Sequence, residues 1–444
     1  MLRLMLLTLI TLSFAVSSYA KTVTINVWAR ADKNVNIGVE HFHEGVKILN
    51  EQYKKQGKDI TVEVNIQRSK AKGWDADMLK VMRVMSVKKG PDIFLAPHEW
   101  IGTFVNADYL KPWNSVVTKS TQLQDIIPGL WDTVTFKDEK YGVPIIPEAR
   151  MFFYNKDHLR KIGKSEEFIN GIPEKVKKGQ FTIDDFTDLA KEVVDAGLVK
   201  YGLIHRPNTG PDFYMLLAGF GQESFQDTTG KMILDKAALL RALQWVQKAQ
   251  AMGVLSTSNS TMSWSAIHAA FINGEAFIKL HGIWGVPAML KSGNFGNDEA
   301  SYFNKVGWTD MPSYKIGGKS ANLTHPLAWV ISSKSKNQDV ATDLIIATVS
   351  PHLYTQWAEE RGFLAIYKQQ ENFESYKKSW VSANGVKMLD NAISMPIHPD
   401  VGVFTSIIFK SIQGVETNRI SPEEGLEFIV EEVKAELGDK VVIK

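Results

Sequence analysis

Glu148 and Arg150 stand two residues apart in the run YGVPIIPEARMFFYNKDHL, residues 141–159. There Pro144 and Pro147 stop an apolar strand before an aromatic strand resumes. Strand side chains at that spacing point to the same side, so a carboxylate and a guanidinium are offered together. The pair can hold a hydroxyl-rich ligand, or it can be a structural ion pair across a hinge. Sugars also present flat C–H faces, which aromatic rings cover. Trp284 lies between Gly282 and Gly285, which leave its ring room to project; the alternative is a core tryptophan plugging a lobe edge. Arg30, Asp32 and Lys33 follow the first strand-like segment, and Glu99 and Trp100 follow the short run Ile93-Phe94-Leu95. His205 and Arg206 precede a Gly-Pro-Asp-Phe-Tyr helix start, where polar loop groups fit a cleft edge or are simply solvated. Trp264, near a helix start, and Phe404, before the C-terminal helices, complete the aromatic candidates.

Other chemistries find less support. The chain has no cysteine, which removes disulfides, thiolate chemistry and cysteine-based metal sites. Gly317-Gly318-Lys319-Ser320 looks like the end of a phosphate loop, but Ser313 occupies the place of the required earlier glycine. His41 and His43 are two apart on a helical pattern and splay over different faces. Neither His-Glu-x-x-His nor Gly-x-Ser-x-Gly occurs. No cofactor and no metal is expected. Carboxylates are plentiful enough that composition leaves a glycoside hydrolase open. The formal charge of +2 gives no general case for nucleic acid or acidic membrane as a partner.

These residues need elements to carry them. Thr22 to Trp28 and Ile60 to Ile66 alternate like half-buried strands, and residues 39–56 and 74–88 have helical spacing. Thr182 and Asp185 mark a helix start. Further helices are expected near 233–252, 338–349 and 422–437, and strand pairing is expected between residues 305–312 and 325–333. Strands alternating with helices predict an α/β fold with a largely parallel sheet. Residues 1–20 read as a secretory signal: Arg3, an apolar core from Leu4 to Val16, and Ser18-Tyr19-Ala20 as cleavage site. The remainder is longer than one core usually takes, so two domains are expected.

Four segments resemble, in order, the solute-binding proteins of bacterial ABC importers, and among them the maltose-binding group. They are GPDIFLAPHEW (90–100), the hinge run 141–159, AAFINGEAFIKLHGIW (269–284) and the strand pair from 305 with its following helix. The resemblance implies two discontinuous α/β lobes joined by hinge strands around an inter-lobe ligand cleft, a periplasmic binding protein type II-like fold. Its expected boundaries are 21–146 plus 307–350 for the first lobe and 147–306 plus 351–444 for the second. It implies a monomeric periplasmic receptor without lipid anchor or catalytic activity. Such a receptor captures a carbohydrate by hinge closure and delivers it to ABC importer permease subunits. Alternatives are a polyol or other small organic solute, or an exported glycoside hydrolase. Glu148, Glu99, Trp284 and the Asp32–Lys33 pair match ligand-contacting positions of that group. Two departures stand out: Ala96 and Trp100 replace a nearby tryptophan and arginine, and a stacking tryptophan near Thr405 is missing or shifted to Phe404.

Overall fold

The computed structural model describes residues 21–31, 39–71, 73–361 and 363–444. Residues 1–20, Asp32 and Lys33 lie outside that set. Two mixed sheets organise the chain. The first runs Ile60–Ser69, Lys21–Arg30, Ile93–Pro97, Leu327–Ile331, Val143–Ile145. Its first three strands are parallel, and Leu327–Ile331 is antiparallel to both of its neighbours. Helices His41–Lys55 and Trp74–Ser86 connect the parallel strands, as a parallel pair requires. In the first helix Phe42, Leu49 and Tyr53 are buried, at the spacing that places them on one face.

The second sheet runs Ala392–Ile393, Asn322–Leu323, Arg150–Asn155, Ala276–Gly282, Tyr201–Ile204, with Val306–Thr309 also paired to Arg150–Asn155. Every residue of Arg150–Asn155 is buried because both faces of this sheet are covered. Phe152 and Tyr154 enter one core and Met151 and Phe153 the other, the two-residue alternation of a strand. The helix Ile183–Asp195 starts on a capping box in which Thr182 and Asp185 satisfy each other's backbone N–H groups.

Chain boundaries differ from those expected. Val306–Thr309 pairs with Arg150–Asn155 and not with Leu327–Ile331, so residues 307–323 belong to the second sheet. Conversely Tyr354, Trp357, Phe363, Ile366 and Tyr367 pack into the first core, so 351–367 belongs mainly to the first lobe. Strand partners are chosen by distant segments, which local patterning does not report.

Two crossovers sit side by side. Ile145 pairs with Leu327 in the first sheet, and Arg150 pairs with Leu323 in the second. Residues 146–149 and 324–326 therefore span the same gap in opposite directions. Ile146 has φ 50°, a left-handed backbone that a β-branched residue rarely adopts. Its N–H donates to Tyr354 Oη at 3.0 Å. Residues 395–397 pass between the lobes as well, with Met395 in a second-lobe core and Ile397 in the first.

Candidate functional site

The two crossovers bring together charged side chains from both lobes. Arg150 Nη2 donates to Glu148 Oε1 at 2.6 Å, and its Nη1 donates to Asp212. Arg206 lies 3.8 Å from the other Asp212 oxygen. Across the gap His325 Nδ1 lies 3.5 Å from Glu148 Oε1, while its Nε2 is 3.0 Å from Glu99. The result is a continuous line of ionisable groups, Glu99–His325–Glu148–Arg150–Asp212–Arg206, along the floor between the lobes. Glu148, Arg150 and Asp212 are almost completely buried, and burial of unpaired charge is costly. Burial pulls the Arg150 pKa down, but Asp212 and Glu148 outweigh it and raise it. Arg206 has the weaker partner, and burial lowers it to about 10. Burial would raise Glu99, yet His325 outweighs it and holds Glu99 down to about 2. Arg150 Nε is buried with no hydrogen-bond partner among the described residues.

Trp284 reaches this floor because the end of Ala276–Gly282 is zipped to the first crossover. Gly282 is the antiparallel partner of Arg150, and Ile283 N–H donates to Ala149 O at 2.8 Å. A methyl group on Gly282 would sit 2.3 Å from Trp284 Nε1 and 2.9 Å from Glu148 Oε2. Only glycine lets that carboxylate and that indole share the spot. Trp264 lies 6.4 Å from Trp284 at an interplanar angle of 59°, and the Arg206 guanidinium lies 5.5 Å from its ring centre. Under the two indoles, Lys279 Nζ is 2.7 Å from His268 Nδ1, and His281 Nε2 is 3.2 Å from the same nitrogen. Burial lowers Lys279 to about 7 and His268 to about 3.

On the first lobe, Arg30 and Trp100 share a shallow pocket with Trp28, Ser69, Trp74 and Lys80. Arg30 pairs with Asp77 at 2.8 Å and lies 5.2 Å from the Trp74 ring centre. This is the carboxyl-end edge of the strands, where α/β sheets present ligand groups.

Three expected residues depart from the picture. Phe404 is fully buried beside Tyr214 in a second-lobe core and offers no platform. His205 turns inward, with Nε2 3.2 Å from Glu416 and Nδ1 2.8 Å from Arg206 O. Trp100 is 4% exposed, edge-on to Trp74 and stacked on Phe104; Trp74, not Trp100, is the more accessible indole there. Two floor residues were not foreseen. Asp212 opens the helix Asp212–Gly219, and a carboxylate at a helix start was its one local signal, equally explained by the helix dipole. His325 precedes Pro326 in the second crossover, a segment whose sequence reads simply as the lead-in to a strand.

Comparison with known proteins bears on this arrangement. The model of the bacterial extracellular solute-binding protein family matches residues 44–351. The chain belongs to that family. This solute-binding protein is similar to the maltotriose-binding protein of Pyrococcus abyssi (strain GE5 / Orsay), at 22% identity over 331 residues. That match covers 73% of the chain and 65% of the relative, so the chain spans just under two thirds of that relative's length. Maltose-bound T. maritima MalE3 is similar in structure with a TM-score of 0.72 and 19% identity, covering 93% of this chain and all of that one. An ABC transporter solute-binding protein of Thermotoga lettingae TMO, solved with α-D-tagatose, gives 0.68 and 23%, covering 94% and 99%. The fold is the two-lobed α/β architecture of the periplasmic binding proteins, and the relatives are solute-binding proteins. Among the described residues no helix is long and apolar enough to cross a membrane.

Proposed function

We propose that this solute-binding protein is an exported, non-catalytic receptor that captures a small carbohydrate between its lobes and hands it to the permease of an ABC importer. The observation that carries this reading is the buried line Glu99–His325–Glu148–Arg150–Asp212–Arg206, flanked by Trp284 and Trp264 where the two crossovers meet. Carboxylates there accept from sugar hydroxyls, guanidinium forks donate to hydroxyl and ring oxygens, and the indole of Trp284 covers a C–H face. Because the line draws members from both lobes, a ligand seated on it has more partners when the lobes are closed than when they are apart. That differential affinity drives closure.

The accessible aromatic surface on the second lobe is a corner, the two indoles meeting at 59°, and Phe404 adds no third platform. This favours one or two sugar rings, or a polyol, over a long chain. Sugar-binding relatives, the family's extracellular placement and the signal-like segment 1–20 support export to the periplasm.

The test is calorimetry and small-angle scattering of residues 21–444 against maltose, maltotriose, tagatose and a polyol panel. Binding with ligand-dependent compaction, weakened in Glu148→Gln and Trp284→Ala, is expected. Absence of both across the panel overturns the receptor reading. Turnover of aryl glycosides that is lost in Glu148→Gln would put a glycosidase in its place.

A further inference from the structure

The two histidines and the carboxylate at the first-lobe end of the floor form an arrangement that sugar binding does not explain. His98 and Glu99 lie on the 3₁₀ turn after Ile93–Pro97, and His98 N–H donates to Pro326 O of the second crossover at 3.2 Å. That contact brings His325 next to both. One donor atom from each of His98, Glu99 and His325 falls within 4.8 Å of the others, the one such group among the described residues. His98 Nδ1 is 3.4 Å from Glu99 Oε2, and His325 Nε2 is 3.0 Å from the same oxygen.

His98 is fully buried, and its Nε2 lies 3.2 Å from Met395 O. A carbonyl oxygen can only accept, so Nε2 carries the hydrogen and Nδ1 presents a bare lone pair. Nδ1 and Glu99 Oε2 are both buried without a hydrogen-bond partner. Two lone pairs thus face each other at 3.4 Å in a water-poor site, an arrangement that a cation between them would relieve. His325 is set up to match. Its Nε2 donates to Glu99 Oε1 at 3.0 Å, and its Nδ1 faces Glu148 Oε1 at 3.5 Å; a cation that displaces the Nε2 hydrogen leaves the other hydrogen on Nδ1, toward Glu148. Backbone carbonyl behind one histidine and carboxylate behind the other are the outer partners that orient metal-bound imidazoles.

We propose that His98 Nδ1, Glu99 Oε2 and His325 Nε2 form a zinc site that ties the first lobe to the second crossover. Two imidazoles and one carboxylate are a donor set for Zn²⁺, whereas Ca²⁺ and Mg²⁺ take oxygen. Zinc bonds of about 2.0–2.1 Å in a tetrahedron place donors about 3.3 Å apart, so the separations of 3.4 and 3.0 Å from Glu99 Oε2 already suit the ion, and only the two imidazole nitrogens need to draw together. Three protein ligands leave a fourth position for water or a solute hydroxyl. Because the ligands come from the first lobe and a hinge segment, the ion fixes the angle at which that segment leaves the first sheet.

The experiment is zinc titration of chelator-treated, sugar-free residues 21–444 by calorimetry, with Co²⁺ absorption as a reporter of tetrahedral geometry. With no sugar present, its outcome is separate from that of the receptor reading. One Zn²⁺ per chain is expected, with a tetrahedral Co²⁺ spectrum and a raised melting temperature. Glu148→Gln, which reaches the three ligands only through the outer nitrogen of His325, should weaken binding by about tenfold. Glu99→Gln and His325→Gln should weaken it further, and His352→Gln, on an exposed position, should leave it unchanged. His98→Gln alters a fully buried side chain and can disturb folding, so Glu99→Gln and His325→Gln decide. No stoichiometric binding in the parent protein, or equal affinity in those two variants, overturns the site.

Discussion

Arg150→Met isolates the interaction on which the cleft floor depends. The guanidinium serves two carboxylates at once, and the side chains of Arg150, Glu148 and Asp212 are 6%, 8% and 1% exposed. Methionine keeps much of the volume but withdraws the guanidinium that contacts both, leaving two buried anions. Breaking a buried ion pair by removing one partner costs about 3–5 kcal/mol. Arg206, 3.8 Å from Asp212, recovers part of this, so a loss of about 3–4 kcal/mol is expected. For a lobe of this size each kcal/mol lowers Tm by about 2–4 °C, which gives a drop of roughly 10 °C by scanning calorimetry. Adding Asp212→Asn removes one of the stranded charges and should restore about half of the loss, a coupling that a double-mutant cycle reads directly. Arg150→Lys keeps the charge without the two-pronged geometry and should fall between. A drop below about 3 °C, or no recovery on adding Asp212→Asn, would show that the guanidinium is not shared as described.

Gly282→Ala should leave the circular dichroism spectrum intact while weakening solute binding at least tenfold, because the new methyl displaces Trp284 and Glu148 together; unchanged affinity in calorimetry would rule out that shared spot. Phe404→Ala should cost about 3–5 kcal/mol through the cavity it opens and leave the dissociation constant unaltered; weakened binding at unchanged Tm would return Phe404 to the cleft. Lys279→Met should raise Tm most at low pH. Burial lowers Lys279 from its ordinary 10.5 to about 7, so between those values the unfolded chain holds a proton that the folded one has released, and stability from this group rises with pH. The gain from methionine is therefore full below about pH 7 and fades toward pH 10; a gain that is flat or grows with pH in a thermal-shift series would contradict the burial of an uncompensated lysine.

Much of this protein can be read from local pattern. Helix His41–Lys55, the Thr182 capping box and the strand ending at Gly282 follow from spacing, capping chemistry and flanking glycines, interactions confined to a few neighbouring residues. Glu148 and Arg150 could be singled out because two prolines and a two-residue spacing are visible in the chain itself. Tertiary structure decided the rest. Asp212 and His325 joined the floor through contacts with residues far away in sequence, Arg150 in one case and Glu99 and Glu148 in the other. Phe404 and His205 carry the right chemistry for a cleft, yet the helix of the one and the loop after Tyr201–Ile204 of the other turn them toward Tyr214 and Glu416. Val306–Thr309 took Arg150–Asn155 as partner over the strand nearer in sequence. Backbone propensity is a property of a short window, whereas which face is buried and which strand lies alongside depend on where the whole chain places its competing apolar surfaces.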